Sequence, residues 1–332
     1  MSKIKLGLMY EITDRPWGGV NTFFKNFKRY TYFDDRIELV NNYSKADIFL
    51  SVGHRIGQGK ILKKRSLINI SHGLGINNPI GRLLNKGKKK IVFRLDGLRK
   101  IYAPEAGKAD DLLIENLDLA DSVVFQSIYS RACFDKLKIK YPRSHNVILN
   151  GTDNSIFYPS KKRFKFSSGV KLISNSWSVN HNKGFKTIAL FSELNQVEVF
   201  HIGRWPEDIE SKSVKLLGTM GEKEIAQVLR KGQYFLFPSI NEACPNTVVE
   251  ALATGLPVLY NNSGGTSELC QNGVFGISLP EDPLDIIGLN HFIEKAKDQY
   301  RKMRESILED INLFNFKYCY NKYIQHFEKL IS

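Results

Sequence analysis

The sequence predicts an α/β protein built as two doubly wound domains facing a cleft. Three observations predict it. Short apolar runs ending in turn residues alternate with helix-length stretches along nearly the whole chain. At 332 residues the chain is long enough for two domains. Residues 234–276 hold two consecutive strand-loop-helix units, each aiming loop amides and a helix N-terminus at one sheet edge.

In chain order, residues 3–10 read as the first strand. Trp17-Gly18-Gly19-Val20 then turns into a helical run over 21–29. A strand, a glycine turn and a helix N-terminus can bind an anion, although two glycines are equally a plain turn. No G-x-G-x-x-G follows, so a dinucleotide fingerprint is unsupported. Residues 46–52 and 66–70 read as strands, and the basic stretch 81–90 as a surface helix with two leucines. Residues 91–95 form a strand ending in Arg94-Leu95-Asp96-Gly97, and 120–126 and 145–149 two more. Asn150-Gly151-Thr152-Asp153 is a turn by its chemistry. The charged, small and polar segment 161–168 is the expected linker, which bounds a first domain at 1–160.

The second domain is expected over 161–310. It opens with a strand at 170–175 and the loop carrying Lys183-Gly184. Arg204 stands at a strand end, residues 214–218 are a strand and turn, and 222–230 an amphipathic helix with Ile225, Val228 and Leu229 inward. The apolar run 234–237 reads as a buried strand, broken by Pro238 and Ser239. A polar loop carries Glu242, and Pro245 sits where a helix starts, since its missing N–H is an orphan donor there anyway. That helix passes Glu250 and stops near Gly255, with Pro257 beyond. The strand 257–260 feeds a loop ending in Gly264-Gly265-Thr266, where a second helix opens. Over 315–330, Phe316, Tyr320, Tyr323, Ile324, Phe327 and Leu330 recur at helical spacing as a core-packing stripe.

Composition bounds the function. No apolar run reaches 18 residues, so no transmembrane helix is expected, and the N-terminal apolar run is too short for a signal peptide. Cys133, Cys244, Cys270 and Cys319 are scattered without a C-x-x-C, which points to a reducing cytoplasm and away from a zinc site. The net charge of +14 is uneven: residues 1–150 carry +13, and within 51–100 thirteen basic residues face a single acid, Asp96. Such a segment attracts an anionic partner, a membrane surface or nucleic acid, unless it is only a solvated face. Only Phe93 supplies an aromatic ring within 60–100 and no nucleic-acid module is recognisable, which disfavours nucleic acid.

The acids define the candidate chemistry. Glu242 precedes a helix and Glu250 lies inside it. Helical side chains lean toward the N-terminus, so both carboxylates can face one pocket mouth. One acid then accepts two neighbouring hydroxyls while the other meets a second polyol, the requirement of a sugar nucleotide. Two plainer readings stand beside this one: Thr247 and Glu250 also fit a capping box, and Glu242 a solvated loop acid.

Pro238-Ser239, Glu242, Glu250-Ala251, Ala253, Gly255, Pro257-Val258, Gly264-Gly265, Glu268 and Gly276 together resemble the glutamate-x7-glutamate signature of the family 4 retaining glycosyltransferases, which have the GT-B fold of two Rossmann-like domains. The resemblance is strong over 170–280 and weaker before it. It implies sugar transfer from a nucleotide-diphosphate sugar to an acceptor hydroxyl with retention; the basic first half, docked on a membrane, makes a lipid-linked or cell-surface glycan precursor the expected acceptor. It implies Glu250 on the donor ribose, Glu242 on the donor sugar, and Lys183 with the amides of Gly265 and Thr266 on the diphosphate, with Asn246, Thr247 and Gly264 lining the donor site. It further implies Gly18 and Gly19 as the loop facing phosphate and acceptor, Asp96 near the reacting carbon in place of the family's histidine, and the last helix, 311–332, crossing back to the first domain. The family's arginine five residues before the lysine is Ser178 here. Arg204 either supplies the missing charge or is a surface cation. No cofactor or dedicated metal is expected, because a lysine and helix amides can carry the leaving charge. The expected location is cytoplasmic, peripheral on the inner membrane face through residues 60–100. A sugar-nucleotide epimerase or phosphorylase on the same fold, and a basic nucleic-acid-binding protein, are the alternatives.

Overall fold

In the computed structural model, which describes residues 3–14, 18–57, 59–102, 107–160, 169–283 and 285–332, the chain divides into two units, Met1–Leu149 with Cys319–Ser332, and Asn150–Tyr318. Trp17 and the expected linker 161–168 lie outside the described residues.

The first unit contains β1 (Ile4–Leu8), α1 (Gly18–Thr31), β2 (Ile37–Leu39), β3 (Ile48–Ser51), a short hairpin of β4 (Arg55–Gly57) and β5 (Lys60–Ile61), α2 (Lys64–Ser71), β6 (Lys90–Leu95), α3 (Arg99–Tyr102), α4 (Lys108–Asn116), β7 (Ser122–Phe125), α5 (Ile128–Lys136) and β8 (His145–Val147). Its six-stranded sheet runs β2-β1-β3-β6-β7-β8, every pair parallel. The chain reverses direction between β1 and β3, and at such a switch point the loops leave in opposite directions and open a crevice at the strands' carboxyl ends. The central strands β3 and β7 are buried at all four positions, as parallel strands covered on both faces must be.

The second unit contains β9 (Val170–Ser176), α6 (Phe185–Phe191), β10 (Val197–Gly203), β11 (Lys215–Leu216), α7 (Glu222–Leu229), β12 (Tyr234–Phe237), α8 (Asn246–Ala253), β13 (Val258–Tyr260), α9 (Thr266–Leu269), β14 (Gly276–Ser278) and α10 (Ile286–Glu309). Its sheet is also six-stranded and parallel, in the order β11-β10-β9-β12-β13-β14, with the switch point between β9 and β12. Leu172, Phe185, Phe191, Tyr234 and Leu236 build the core with Phe292 and Tyr300 of α10.

The last helix, α11 (Phe316–Ile331), buries its stripe as the spacing requires. Tyr320, Tyr323, Ile324 and Phe327 are buried, and Tyr323 meets Phe23 of α1 with ring centroids 5.2 Å apart. Residues from Cys319 onward belong to the first unit.

Three sequence expectations are corrected. Residues 66–70 lie in α2 and are not a strand; their buried set is Ser66, Leu67, Asn69, Ile70 and Ser71, and buried polar groups hide the helical period. Asn69 is buried because its Nδ2 donates to the carbonyls of Ile76 and Asn78 over 3.1 and 2.8 Å. Residues 81–90 form no continuous helix: a 3-10 turn at Pro79–Arg82 gives way to a loop. His72 pins that loop, its Nε2 lying 2.8 Å from the Asn85 carbonyl. The unit boundary falls at Leu149/Asn150, not at 160/161. Asn150 Nδ2 donates to the Cys244 carbonyl over 3.0 Å and to Asn246 Oδ1 over 2.9 Å, and Arg230 donates to the Ile156 carbonyl over 3.0 Å, so this segment packs into the second unit.

Candidate functional site

Three loops meet at the carboxyl edge of the second sheet. After β9, the Asn180 side chain accepts the amide of Asn182 over 2.9 Å and caps a 3-10 turn that delivers Lys183. Gly184 then takes φ +72°, a left-handed conformation that suits glycine, and a Cβ there would lie 2.7 Å from Pro238. The loop after β12 is thereby set against the loop after β9. The amide of Ile240 donates to the Asn182 carbonyl over 2.9 Å, and Ser239 Oγ to the same oxygen over 3.2 Å. The loop after β13 closes from the other side. Gly264 takes φ +80°, and a Cβ on it would be 2.4 Å from the Glu242 carbonyl oxygen. Asn241 N–H donates to Ser263 Oγ over 3.0 Å, and Gly265 N–H to the Glu242 carbonyl over 2.7 Å.

Glu242 is the point this lacing fixes. Its main chain is held by Gly265, and its carboxylate Oε1 accepts from Lys183 Nζ and, over 3.1 Å, from Ser239 Oγ. The Lys183–Glu242 ion pair spans the switch point between β9 and β12, and both side chains remain partly open to solvent. Lys183 and Glu242 are therefore brought together. The Gly265 amide, expected on a diphosphate, donates here to the Glu242 carbonyl. Thr266, the first residue of α9, keeps a buried Oγ1 without a hydrogen-bond partner among the described residues.

Helix α8 begins at Asn246 with Pro245 as its cap, so Thr247 is already inside the helix. The capping-box reading of Thr247 and Glu250 is excluded by that register. Asn246 uses its Oδ1 to accept from Asn150. Glu250 follows one turn later, with no hydrogen-bond or ion-pair partner among the described residues and no bond to the Lys183–Glu242 pair. Burial, and secondarily the charge of Glu222 on α7, pushes its pKa up to about 8. Glu242 is thus neutralised by a lysine, while Glu250 is half-buried and has no hydrogen-bond or ion-pair partner among the described residues.

Arg204 is exposed at the carboxyl end of β10, next to β9, and its amide donates to the Ser176 carbonyl over 2.9 Å. Its guanidinium has no ion-pair partner among the described residues. Beneath it, the buried His201 ring bridges Ser174 Oγ at 2.7 Å and the Arg204 carbonyl at 3.1 Å, and burial lowers its pKa to about 4. His201 is thus a neutral brace for the strand end.

The first-unit residues gather at the edge of their own sheet. Gly18 and Gly19 open α1, Gly18 at φ +56°. Asp96 is exposed at the tip of β6, where its Oδ1 accepts the Gly97 amide over 3.0 Å. Val20 and Asp96 line one pocket with His54, Arg55, Arg94 and Arg99.

Sequence reasoning missed most of the residues that lace the loops, Asn180, Asn182, Asn241 and Ser263, and gave Ser239 no bonding role. Their signal is turn chemistry, since Asn tolerates φ > 0, as Asn241 does at +58°, and short polar side chains bond to nearby amides.

Among the described residues, no three His, Cys, Asp or Glu side chains cluster as cation ligands, and no helix is long and apolar enough to cross a membrane.

Among curated proteins, a 2-deoxystreptamine N-acetyl-D-glucosaminyltransferase of Niallia circulans is 24% identical over 194 residues, 53% of this chain and 48% of the relative. The chain thus spans about half the length of that relative. Two solved structures share the fold over nearly the full length of both chains. Sucrose-phosphate synthase of Thermosynechococcus elongatus has a TM-score of 0.71 at 14% identity and 99% coverage of each chain. Anabaena Alr3699/HepE in complex with UDP and glucose has 0.67 at 17% identity, covering 98% of this chain and 99% of that one. Two parallel-sheet α/β domains of the GT-B type are therefore the architecture of the molecule. Residues 185–288, from the start of α6 past β14 and including Glu242, Glu250 and the Gly264-Gly265 turn, match the model of the family Glycosyl transferases group 1.

Proposed function

We propose that this chain is a retaining glycosyltransferase that moves a sugar from a nucleotide-diphosphate sugar to an acceptor hydroxyl. The observation that carries the reading is Glu250. Its carboxyl is half-buried, held well above the ordinary carboxyl range by that burial, and without a partner among the described residues, an arrangement that a ligand would complete. A ribose diol offers two donors to its two oxygens, and ionisation on binding turns both into charge-assisted bonds. The Lys183–Glu242 pair supports the same reading. An arriving diphosphate competes for the ammonium, and release of Glu242 frees an acceptor for the donor sugar's hydroxyls. Lys183 then stands as a point cation for the leaving diphosphate, with Thr266 Oγ1 and its amide at the start of α9. The matched family segment and the UDP and glucose in the Anabaena structure favour this donor class.

The acceptor is read as a lipid-linked or cell-surface glycan precursor, reached by peripheral docking of the basic first unit on an anionic membrane. Several lysines of that segment hold the fold together. Lys86 and Lys90 pair with Asp121, Lys89 donates to the Ser44 and Ala46 carbonyls, and Lys60 pairs with Glu11. Docking therefore falls to Lys63, Lys64, Arg65 and Lys88, none of which has an ion-pair partner among the described residues. Leu83, 86% exposed, stands in the same loop as Lys88 and offers an apolar side chain to the interface.

Incubation with a panel of nucleotide sugars and hydroxyl acceptors, with anomeric proton NMR of the product, tests the reading. Transfer with the donor's anomeric configuration supports it. Epimerised donor without transfer, or inverted product, replaces it.

A further inference from the structure

The first unit has its own pocket, at the switch point between β1 and β3. Its lining is strongly basic: Arg55 from β4, Arg94 from the end of β6 and Arg99 from the start of α3, with His54 from the turn after β3. Three guanidiniums crowded into one crevice repel one another unless carboxylates neutralise them. Two acids, Asp110 and Asp96, share the lining. Asp110 accepts the amides of Arg99 and Lys100, the latter over 2.8 Å, and so caps α3. Asp96 is exposed at the rim and accepts the Gly97 amide.

The guanidiniums are also unequally committed. Arg94, 2% exposed, stacks on the Phe23 ring at 4.1 Å and donates to Gln126 Oε1 over 2.7 Å, which fixes it as the pocket floor. Arg55 has a buried Nε with no hydrogen-bond partner among the described residues. Neither Arg55 nor Arg99 has an ion-pair partner among them. His54 places its Nδ1 3.0 Å from the Val52 carbonyl, which makes Nδ1–H the donor and leaves Nε2 a lone pair for a ligand hydroxyl. Burial, with the charges of Arg55 and Arg99, lowers its pKa to about 4, so the ring is neutral near pH 7.

We infer that this pocket binds an oxyanion carried by a polyol, a phosphorylated or carboxylated sugar, with Arg55 and Arg99 on the oxyanion and His54 Nε2 and Asp96 accepting from neighbouring hydroxyls. Planar guanidiniums match phosphate and carboxylate oxygens in paired hydrogen bonds, and the low-lying Arg94 adds charge from beneath. The mouth lies beside the start of α1, whose dipole adds to the same attraction. If the chain is the glycosyltransferase proposed above, its acceptor bears this negative group, and a neutral sugar is a poor substitute.

The test measures binding without any nucleotide, so it stands apart from the donor site. Glucose 6-phosphate, glucuronate, a short-chain isoprenyl phosphate and glucose are titrated against the full chain, by calorimetry and thermal shift. The inference predicts that at least one charged probe binds roughly tenfold or more tighter than glucose, more weakly as salt rises. Whichever probe does so names the carrier of the oxyanion. Arg55→Gln and Arg99→Gln should each remove most of that preference, with the melting temperature of the free protein unchanged within a few degrees. Lys183→Gln should keep it, since that lysine lies in the other unit. Equal binding of glucose and all charged probes, or loss in Lys183→Gln with retention in both arginine variants, overturns the inference.

Discussion

Lys183 Nζ donates to Glu242 Oε1 across the point where the second sheet reverses direction. The two residues are far apart in sequence, yet each is presented by a loop that the other's loop holds in place. The pair is thus preorganised, and it sits where ligands bind in open α/β sheets. Removing the lysine leaves the Glu242 carboxylate with Ser239 Oγ as its one remaining donor among the described residues. Lys183→Ala is expected to lower turnover by roughly 10²-fold or more, as for other donors aimed at developing charge, with the melting temperature little changed because both side chains are partly solvated. Single-turnover rates on a folded variant check this. Wild-type rates would transfer the role to Arg204.

Glu250 makes nucleotide binding pH-dependent. In the free protein its pKa is about 8, well above the ordinary carboxyl value, so the acid is mostly protonated near neutrality. A bound ribose favours the ionised form, hence binding releases a proton. Affinity should rise with pH by up to about tenfold per unit below 8 and level off above it. Glu250→Gln should flatten that profile, and Glu250→Ala should cost about 1.5–3 kcal/mol of nucleotide affinity. Calorimetric titration between pH 6 and 9 reads both; a rise that persists in the Gln variant would assign the proton elsewhere.

The turn at Gly264 should tolerate no side chain. Its φ is +80°, and an added Cβ would lie 2.4 Å from the Glu242 carbonyl oxygen and 2.8 Å from its amide nitrogen. Gly264→Ala must move the loop that donates to Glu242, at an expected cost of roughly 1–3 kcal/mol or more. A melting temperature lowered by several degrees together with weakened nucleotide binding is the outcome; unchanged values for both would mean the loop is not rigid.

Membrane docking divides the lysines. Gln at Lys63, Lys64 and Lys88 should reduce sedimentation with anionic vesicles, each charge near the surface being worth about 1 kcal/mol. The same change at Lys86 and Lys90 strips Asp121 of its ion pairs, so it should lower stability as well. Equal binding to neutral and anionic vesicles, or no binding at low salt, would leave the basic segment a solvated surface.

Much of the second unit was legible because its signals agree. The strand at 234–237, the helix stopping before Gly255, the strand ending at Tyr260 and the helix opening at Thr266 each carry their own punctuation. The first unit was harder. At α2 the buried positions include Ser66, Asn69 and Ser71, and Asn69 and Ser71 bond to backbone groups of their own turn and of the loop that follows, so the hydrophobic period fails. In 81–90 two leucines suggested a helix, but Leu83 is exposed and side-chain bonds to backbone hold a loop. The candidate residues Glu242, Lys183 and Glu250 were visible as residue types at suggestive positions. Their division of labour was not, because pairing, burial and the use of the Gly265 amide depend on three loops that only the sheet order brings together. Arg55 and Arg99, without ion-pair partners among the described residues, were invisible for the same reason, each one basic residue among many in a basic segment.

The central claim is a nucleotide-diphosphate site at the carboxyl edge of the second sheet. Calorimetric titration with UDP, GDP and their sugar derivatives tests it most directly, using the wild-type chain and the Glu250→Ala and Lys183→Ala variants. At least one nucleotide should bind the wild type and raise its melting temperature. Both variants should fold and bind it more weakly, roughly tenfold or more for Glu250→Ala. No binding by any member of the panel at millimolar concentration, or equal affinity in wild type and both folded variants, would contradict the account.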